Sequence, residues 1–203
     1  MRTLVLGLTG SIGMGKSEAA KMFRRLGVPV FDADAAVHRL MAKGGAAVAA
    51  IDAAFPGVVK DGAVDRKALG DRVFGRPKDL RRLEGILHPR VRRARDRFLK
   101  LAQARRAPLV VFDIPLLFET GGERYCDAVL VVSAPAFIQR ARVMARPGMS
   151  EEKFRAILAQ QVPDHEKRRR ADFIAPTGMG KRPTLNAIRD AIDTLIGKPR
   201  ACS

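Results

Sequence analysis

A short glycine-rich segment near the start of the chain carries the clearest chemical signal in the sequence. It matches the pattern G-x-x-x-x-G-K-[ST] in full and reads Gly10-Ser11-Ile12-Gly13-Met14-Gly15-Lys16-Ser17. In such a loop the glycines let backbone N–H groups wrap around a phosphate, because no Cβ atom blocks the approach. The lysine reaches the β- and γ-phosphates, and the following hydroxyl holds Mg²⁺. The segment therefore predicts a nucleoside triphosphate site with Lys16 on the phosphates and Ser17 on the metal.

The flanks of this segment favour phosphate binding over a plain turn that joins a strand to a helix. An apolar run, Leu4–Leu8, precedes it, and apolar residues recur at helical spacing from Lys16 to Leu26. A helix that begins at Lys16 directs unpaired N–H donors and a favourable dipole at the phosphate. We therefore predict that the nucleotide is bound by Gly10, Ser11, Ile12, Gly13, Met14, Gly15, Lys16, Ser17 and Glu18.

Two carboxylates follow a second apolar run, Val28–Phe31, and could act on an acceptor hydroxyl. The carboxyl ends of parallel strands face the ligand crevice of open α/β sheets, and Asp32 and Asp34 would lie there. A carboxylate in this place can take the proton of a hydroxyl that attacks the γ-phosphate. The alternative is a capping role for the helical pattern Ala35–Met41, and two aspartates allow both roles at once.

Asp113 and His88 are further candidates, each with a plain structural alternative. Asp113 closes the apolar run Leu109–Phe112 in the manner of a carboxylate that supports magnesium. Its alternative role is to cap a helix that opens at Pro115. For His88, which precedes Pro89, spacing alone favours a turn residue over a ligand contact.

A basic stripe follows the apolar run Ala128–Val132. Gln139, Arg142 and Arg146 fall at i, i+3 and i+7 of a helical pattern. Guanidinium groups on one stripe repel each other unless an anion or a carboxylate lies between them. One hypothesis is a basic lid whose arginines neutralise charge on the transferring phosphoryl group. The other is a solvated basic face.

The apolar runs that precede these residues predict the fold. Four of them lack polar alternation, which is typical of parallel strands covered on both faces, and Phe173–Ala175 is a weaker fifth. Helical patterns lie between them, so the chain begins as a strand, a helix and a strand. The expected architecture is α/β: a three-layer P-loop NTPase fold with a five-stranded parallel sheet flanked by helices, a helical substrate-binding insertion and a lid.

The stretch after Asp34 is predicted to be a helical insertion, because it shows helical patterns and no convincing strand up to about Ala107. Within it, Pro77–Ala104 predicts a helix that is interrupted at His88-Pro89, since proline does not continue a helix interior. Later helices are predicted at Pro135–Arg146, Ser150–Gln161 and Pro183–Ile196.

Composition narrows the function classes. The 203 residues include 38 Lys and Arg against 21 Asp and Glu, a formal net charge of +17, which favours an anionic partner. Trp is absent and Tyr occurs once, so stacking platforms for single-stranded nucleic acid are poorly supplied. No apolar run approaches the roughly 20 residues of a membrane helix. Cys126 and Cys202 lie far apart without metal-ligand spacing, which favours a reducing cytoplasm.

A small kinase that phosphorylates a metabolite fits these features better than other triphosphate-binding classes. Guanine-specific GTPases need an Asn-Lys-x-Asp motif, but Asn186 is the sole asparagine and Ala187 follows it. A kinase needs an acceptor-binding insertion and a mobile lid that excludes water, and both have candidates here. Nucleoside monophosphate and shikimate-type acceptors stay open. A nucleotide-dependent nucleic-acid binder also stays open, because basic runs occur at Arg90–Lys100 and Lys167–Arg170.

Several short motifs, in a distinctive order and spacing, cover nearly the whole chain. They are Leu8-Thr9-Gly10, Gly27–Asp34, Leu83-Glu84 with Leu87-His88-Pro89, Asp113–Glu119, Gln139 with Arg142 and Arg146, Gln161-Val162-Pro163, and Ala171-Asp172. Together they resemble the dephospho-coenzyme A kinase family. The phosphate loop is shared by many families, whereas the Asp-Ala-Asp, Leu-His-Pro and Pro-Leu-Leu-x-Glu motifs are far more specific.

The resemblance implies a reaction and its site residues. The γ-phosphoryl group of ATP would pass, with Mg²⁺, to the ribose 3′-hydroxyl of dephospho-coenzyme A, the last step of coenzyme A biosynthesis. Asp34 is then the base, Asp32 supports it, and Lys16 and Arg142 complete the catalytic set. The acceptor side is implied to involve Asp34, His88, Asp113, Pro115, Leu116, Leu117 and Arg146. Neither a membrane nor nucleic acid is implied as a partner, and the oligomeric state stays open.

The resemblance also implies a nucleotide core like that of adenylate kinase, a coenzyme A domain and a lid. Their expected ranges are 1–34, 107–142 and 164–203 for the core, 35–106 for the coenzyme A domain and 143–163 for the lid. Met14 departs from the small residue, often Ser, that is usual at its position. It is tolerated if its side chain points away from the phosphates. Pro176-Thr177 replaces a stretch that often carries Asn before Gly178, so an adenine contact there stays open.

Overall fold

The computed structural model describes residues 2–197, whose strands form two sheets. In chain order the strands are β1 (Leu4–Thr9), β2 (Val30–Asp32), β3 (Val59–Lys60), β4 (Ala63–Val64), β5 (Leu109–Asp113), β6 (Ala128–Ser133) and β7 (Phe173–Pro176). Five of them form a parallel sheet in the order β2-β5-β1-β6-β7, and β3 pairs antiparallel with β4. The predicted five-stranded α/β fold is confirmed. Because β1 is the central strand, the phosphate loop emerges from the middle of the carboxyl edge of the sheet.

Helices connect these strands. They are α1 (Lys16–Arg25), α2 (Ala33–Met41), α3 (Val48–Ala54), α4 (Arg66–Val73), α5 (Pro77–Ala104), α6 (Ala136–Met144), α7 (Glu151–Ala159), α8 (Asp164–Arg170) and α9 (Lys181–Ile196), with a 3-10 turn at Gly122–Tyr125. Among the described residues, none of these helices combines the length and apolar character needed to cross a membrane.

The parallel sheet is apolar on both faces because each face has its own cover. In β6, Leu130 and Val132 belong to a core cluster that includes α1 and α9 residues, such as Phe23 and Ile188. Its other face, with Val129, belongs to a separate cluster that includes residues of the segment after β5. Full burial of one such side chain contributes about 1.5–3 kcal/mol. This double cover explains why the strands show no polar alternation.

Helix α1 begins and ends at glycines. Gly15, at the N-cap, has a φ angle of 87°, and Gly27, two residues beyond Arg25, has a φ angle of 79°. A residue with a positive φ angle ends a helix readily when it is glycine. Between these points α1 buries Ala19 and Phe23 against the sheet, which fixes the helix N-terminus at the phosphate loop.

The chain divides into two compact units, one made of residues 1–31 and 102–203 and the other of residues 32–101. The second unit has its own core, in which α2, α3, the β3–β4 hairpin, α4 and α5 bury apolar side chains. Its buried members are Met41, Ala47, Ile51, Phe55, Val58, Val64, Leu69, Leu83 and Leu87. The predicted boundaries of the core, the coenzyme A domain and the lid stay predictions, and residues 198–203 of the predicted core, with Cys202, lie outside the described residues.

Two expectations for the second unit are wrong. Pro89 does not interrupt α5, which runs without a break from Pro77 to Ala104. Proline removes only the hydrogen bond to the Gly85 carbonyl, and Gly85 is exposed, so water can satisfy that group. Burial of Leu83 and Leu87 in the core of the second unit holds the turns that lead into Pro89. The stretch also contains the short β3–β4 hairpin, whose two-residue strands are too short to show a strand pattern.

Candidate functional site

The phosphate loop, residues 10–17, joins β1 to the first turn of α1. Gly13 and Gly15 have φ angles of 77° and 87°, a region that residues with a Cβ atom rarely adopt. A Cβ atom on Gly13 would also lie 2.6 Å from Val143 Cγ2 and 2.9 Å from the Gln139 carbonyl oxygen. Conformation and packing therefore both require glycine at position 13.

Lys16 and Asp113 meet although 97 residues separate them. Lys16 Nζ lies 2.5 Å from Asp113 Oδ1, and the two side chains are only 17% and 5% exposed. Asp113 ends β5, where it stands in register with Leu8 of the neighbouring β1, so strand order brings it beside the loop. No helix begins at Pro115 in the described part of the chain, so the capping interpretation of Asp113 is wrong. The carboxylate orients the Lys16 ammonium instead.

Ser17 and Glu18 lie exposed in the first turn of α1. Within residues 2–197, no group of three His, Cys, Asp or Glu residues could hold a metal by itself. The exposed Ser17 hydroxyl could supply one ligand to a Mg²⁺ ion whose other ligands are triphosphate oxygens and water. Glu18 accepts a hydrogen bond from Lys21 at 2.7 Å, and this contact holds the pKa of Glu18 below its usual range. The Glu18 carboxylate thus makes its hydrogen bond on the surface of α1.

Met14 directs its side chain into the core. It is 3% exposed and packs in the cluster that contains Phe23 and Val132. Its sulfur accepts a hydrogen bond from the Ala134 backbone N–H at 3.1 Å. A long side chain at this position is therefore compatible with the phosphate loop.

Two glutamines hold the peptide groups of Ile12. The Ile12 N–H donates to Gln161 Oε1 at 3.0 Å, and Gln139 Nε2 donates to the Ile12 carbonyl at 2.7 Å. Gln139 belongs to α6 and is buried, whereas Gln161 follows the C-terminus of α7. Both residues occur in the motifs of the sequence, and their function as clamps on the phosphate loop follows only from the structure.

Arg142 lies beside the phosphate loop, whereas Arg146 makes no hydrogen bond to it among the described residues. Arg142 donates to the Thr177 carbonyl at 2.6 Å, and its Nη1 lies 3.5 Å from the Gly13 carbonyl oxygen. The exposed guanidinium thus lies at the loop, and its action on the phosphoryl group stays a prediction. Helix α6 ends at Met144, because a residue that precedes proline, as Arg146 does, disfavours helix. The predicted helical stripe through Arg146 is therefore wrong, and its exposed side chain makes no hydrogen bond or ion pair among the described residues.

Thr177, which the sequence suggests only as the place of an open adenine contact, lies against the phosphate loop. Its hydroxyl donates to the Met14 carbonyl at 2.7 Å, and a Cβ atom on Gly15 would lie 3.2 Å from the threonine side chain. Thr177 follows β7 directly, so it stands at the same carboxyl edge of the sheet as the phosphate loop. That position after the fifth strand is the signal that would have identified it.

Asp32 and Asp34, which belong to the second unit, have different local roles. Asp32 is the N-cap of α2, and its Oδ1 accepts from the Ala35 N–H at 2.8 Å. Asp34 lies exposed in the first turn of the helix, and its side chain makes no hydrogen bond or ion pair within residues 2–197. The structure therefore assigns the capping role to Asp32 and leaves the Asp34 carboxylate available for chemistry.

The residues implied for the acceptor side differ in exposure. His88 is exposed on α5 in the second unit, so its interpretation as a turn residue is wrong. In the first unit, Leu116 is 43% exposed and Pro115 is half-buried, with its carbonyl accepting from Thr9 Oγ1 at 3.0 Å. Leu117 is fully buried against the sheet, where its side chain packs in the core. Pro115 and Leu116 are thus the accessible members of this segment.

Comparison with known proteins identifies relatives over most of the chain. A model of the dephospho-CoA kinase family matches residues 4–178. A dephospho-CoA kinase of Paramagnetospirillum magneticum is 66% identical over 164 residues, which cover 81% of this chain and 77% of that protein. One from Mesorhizobium japonicum is 57% identical over 197 residues, which cover 97% of both chains.

A solved structure shares the fold over nearly its whole length. The crystal structure of TT1252 from Thermus thermophilus superposes with a TM-score of 0.81 at 38% identity, covering 96% of this chain and 98% of that one.

Proposed function

The chain belongs to the dephospho-coenzyme A kinase family, and on that premise we propose that it phosphorylates the ribose 3′-hydroxyl of dephospho-coenzyme A with ATP. The products are coenzyme A and ADP, so the reaction is the last step of coenzyme A biosynthesis. The observation that carries this proposal is the family match over residues 4–178, which includes the complete phosphate loop.

Lys16 and Arg142 are the cations that we assign to the ATP phosphates. Lys16 is held by Asp113 at the start of α1, and Arg142 lies at the Gly13 and Thr177 carbonyls. Positive charge at these points stabilises the negative charge that spreads over the phosphoryl oxygens in the transition state. The backbone N–H groups of the loop bind the phosphates themselves.

Asp34 is the group that we assign as the general base. The 3′-hydroxyl oxygen forms a bond to the γ-phosphorus, the bond from that phosphorus to the β–γ bridging oxygen breaks, and the hydroxyl proton passes to the Asp34 carboxylate. The exposed, uncommitted carboxylate of Asp34 supports this role. Asp32 supports the base indirectly, because its cap fixes the first turn of α2.

Magnesium is the metal that we assign to this site, with the Ser17 hydroxyl as the ligand from the chain. When bound, Mg²⁺ neutralises charge on the β- and γ-phosphate oxygens. The remaining candidates, His88, Asp113, Pro115, Leu116 and Arg146, stay proposals for the acceptor side. The predicted reducing cytoplasm also stays a proposal.

The test is a measurement of ADP release from ATP and Mg²⁺ with single acceptors. Dephospho-coenzyme A, AMP, CMP and shikimate are offered separately, and the product of any turnover is analysed for the position of the new phosphate. We expect turnover with dephospho-coenzyme A alone, yielding the 3′-phosphorylated product. Turnover with another acceptor instead would keep the kinase core and refute the substrate. No turnover with any acceptor, in folded protein that binds ATP, would favour the nucleic-acid alternative.

The role of Asp34 is tested by Asp34→Asn. We expect kcat to fall by about 100-fold or more, since general base catalysis contributes about that much, while ATP binds as before. Asp52→Asn is the matched control, because Asp52 is an exposed carboxylate on α3 in the same unit. Equal kcat values for Asp34→Asn and the wild type would refute the assignment.

A further inference from the structure

Glu119 is a polar residue that the proposed reaction does not use, yet it is tied to the phosphate loop. Its Oε1 accepts from the Val162 N–H at 2.9 Å and forms an ion pair with Lys167 Nζ at 2.8 Å. Val162 directly follows Gln161, whose side-chain oxygen accepts from the Ile12 N–H. A short series of contacts therefore runs from Glu119 through the 161–162 backbone to the loop.

The burial of this ion pair marks it as unusual. The Lys167 side chain is 0% exposed and that of Glu119 is 12% exposed, although charged residues are rarely buried so completely. Glu119 Oε2 and Lys167 Nζ are both buried and make no hydrogen bond within the described residues, so the two charges meet only as an ion pair through Oε1, which also accepts from the Val162 N–H. Desolvation of two charges makes such a pair weak support for stability alone.

The segment that contains Glu119 touches the phosphate loop at its other end as well. This segment follows Asp113, which holds Lys16, and the Pro115 carbonyl accepts from Thr9, the last residue of β1. Glu119 thus belongs to the same loop as the carboxylate that orients Lys16. Residues 113–119 therefore hold Lys16 directly, through Asp113, and hold Ile12 indirectly, through Val162 and Gln161.

We propose that Glu119 is a positioning residue for the phosphate loop. Its carboxylate, neutralised by Lys167, fixes the Val162 N–H and so holds Gln161 Oε1 against the Ile12 N–H. The Ile12 peptide in turn sets the path of the loop backbone around the phosphates of ATP. The predicted effect of Glu119 on turnover rests on the proposed kinase function. The predicted effect of Glu119 on ATP affinity does not depend on that function.

The test combines three variants in a cycle. Glu119→Met with Lys167→Met removes both buried charges together, so that neither is left unpaired, and it also removes the acceptor for the Val162 N–H. Gln161→Ala removes the acceptor for the Ile12 N–H. The third variant carries all three substitutions. The affinity for ATP is measured by calorimetry without an acceptor, and kcat and KM with dephospho-coenzyme A are measured in parallel.

Glu123→Gln is the matched control. Glu123 pairs with Arg170 and so joins the 3-10 turn near Glu119 to α8, the helix that also carries Lys167. Within the described residues Glu123 makes no hydrogen bond or ion pair to Val162 or Gln161. We expect its ATP affinity to equal that of the wild type.

We expect Gln161→Ala and the charge-free pair each to weaken ATP binding about fivefold, the usual effect of one lost hydrogen bond. Because both act through the same contact, the triple variant should also be weakened about fivefold rather than about 25-fold. The proposal would be overturned if the triple variant lost about 25-fold in ATP affinity. It would also be overturned if either the double variant at positions 119 and 167 or Gln161→Ala bound ATP as the wild type does.

Glu119→Asp keeps the test decisive if the charge-free pair does not fold. It preserves a carboxylate for Lys167 but withdraws it from the Val162 N–H by one methylene. Faster amide hydrogen exchange at Ile12, with weaker ATP binding, supports positioning, whereas wild-type exchange and affinity contradict it. If the wild-type protein binds ATP but does not turn over dephospho-coenzyme A, the proposed function is refuted. If the effects of the substitutions on ATP affinity are independent of each other, only this inference is refuted.

Discussion

At the level of single residues, the triphosphate site depends most directly on Lys16. Its ammonium is largely buried and held 2.5 Å from Asp113, so it is positioned before the transition state forms. We expect Lys16→Ala to lower kcat by about 100-fold or more, because the charge is needed most in the transition state. The release of ADP measures kcat. Lys21→Ala is the control, because Lys21 is an exposed lysine of the same helix. Near-normal turnover of Lys16→Ala would contradict the phosphate-loop assignment.

Arg142 is the second residue whose role follows from its neighbours. Its guanidinium joins the Thr177 carbonyl to the Gly13 side of the loop. We expect Arg142→Ala to raise the KM for ATP and to lower kcat, each by about tenfold, because one charge-assisted contact is lost. Arg140→Ala is the control, since Arg140 lies on the same helix but pairs with Glu151. If Arg142→Ala has the same kcat and KM as the wild type, Arg142 belongs to a solvated basic face instead.

At the level of elements, α4 shows how a single side chain joins a helix to a hairpin. Asp65 Oδ1 accepts from the Lys67 and Ala68 N–H groups at 3.1 Å, and its Oδ2 lies 2.9 Å from Lys60 Nζ of β3. We expect Asp65→Ala to lower Tm by roughly 2–4 °C in thermal unfolding, because the N-cap is lost. Asp71→Ala, on the exposed surface of α4, should leave Tm unchanged. Equal values for both variants would show that the cap contributes nothing.

The same contact predicts a pH dependence. The hydrogen bond from Lys60, with those from the backbone, holds the pKa of Asp65 below its usual value of 3.8. A carboxyl whose pKa is lower in the folded state stabilises that state above pH 3.8 and loses this effect as pH falls through the folded pKa. The Tm difference between wild type and Asp65→Ala should therefore shrink below about pH 4. A difference that stays constant from pH 7 to pH 3 would contradict this mechanism.

At the level of the whole molecule, the formal net charge of +17 attracts ATP and an acidic acceptor. For a kinase, kcat at saturating substrates should change by less than about threefold between 50 and 200 mM salt, since screening acts mainly on encounter. A nucleic-acid binder with several phosphate contacts would instead lose about 10³-fold or more in affinity over that range. Measuring both on the wild-type protein separates the two classes. Tight nucleic-acid binding at 200 mM salt would contradict the metabolite-kinase interpretation of the basic surface.

Features that depend on local patterns follow from the amino-acid sequence alone. The phosphate loop, the five strands of the parallel sheet and α1 could be predicted because glycine positions and apolar runs act within a few residues. The unbroken helix α5 could not be predicted. The expectation that Pro89 interrupts a helix rests on its neighbours in sequence, whereas the burial of Leu83 and Leu87 depends on residues that are distant in sequence. The division of roles between Asp32 and Asp34 likewise needed the backbone geometry of the cap.

The contacts between distant residues at the phosphate loop depend on the three-dimensional fold. Lys16 and Asp113 are 97 residues apart, and Ile12 and Gln161 are 149 apart. No local pattern encodes such contacts, because they depend on strand order and on the packing of helices against the sheet. The motif glutamines, Glu119 and Thr177 therefore carried no assignable role until the sheet brought the ends of its parallel strands to one edge.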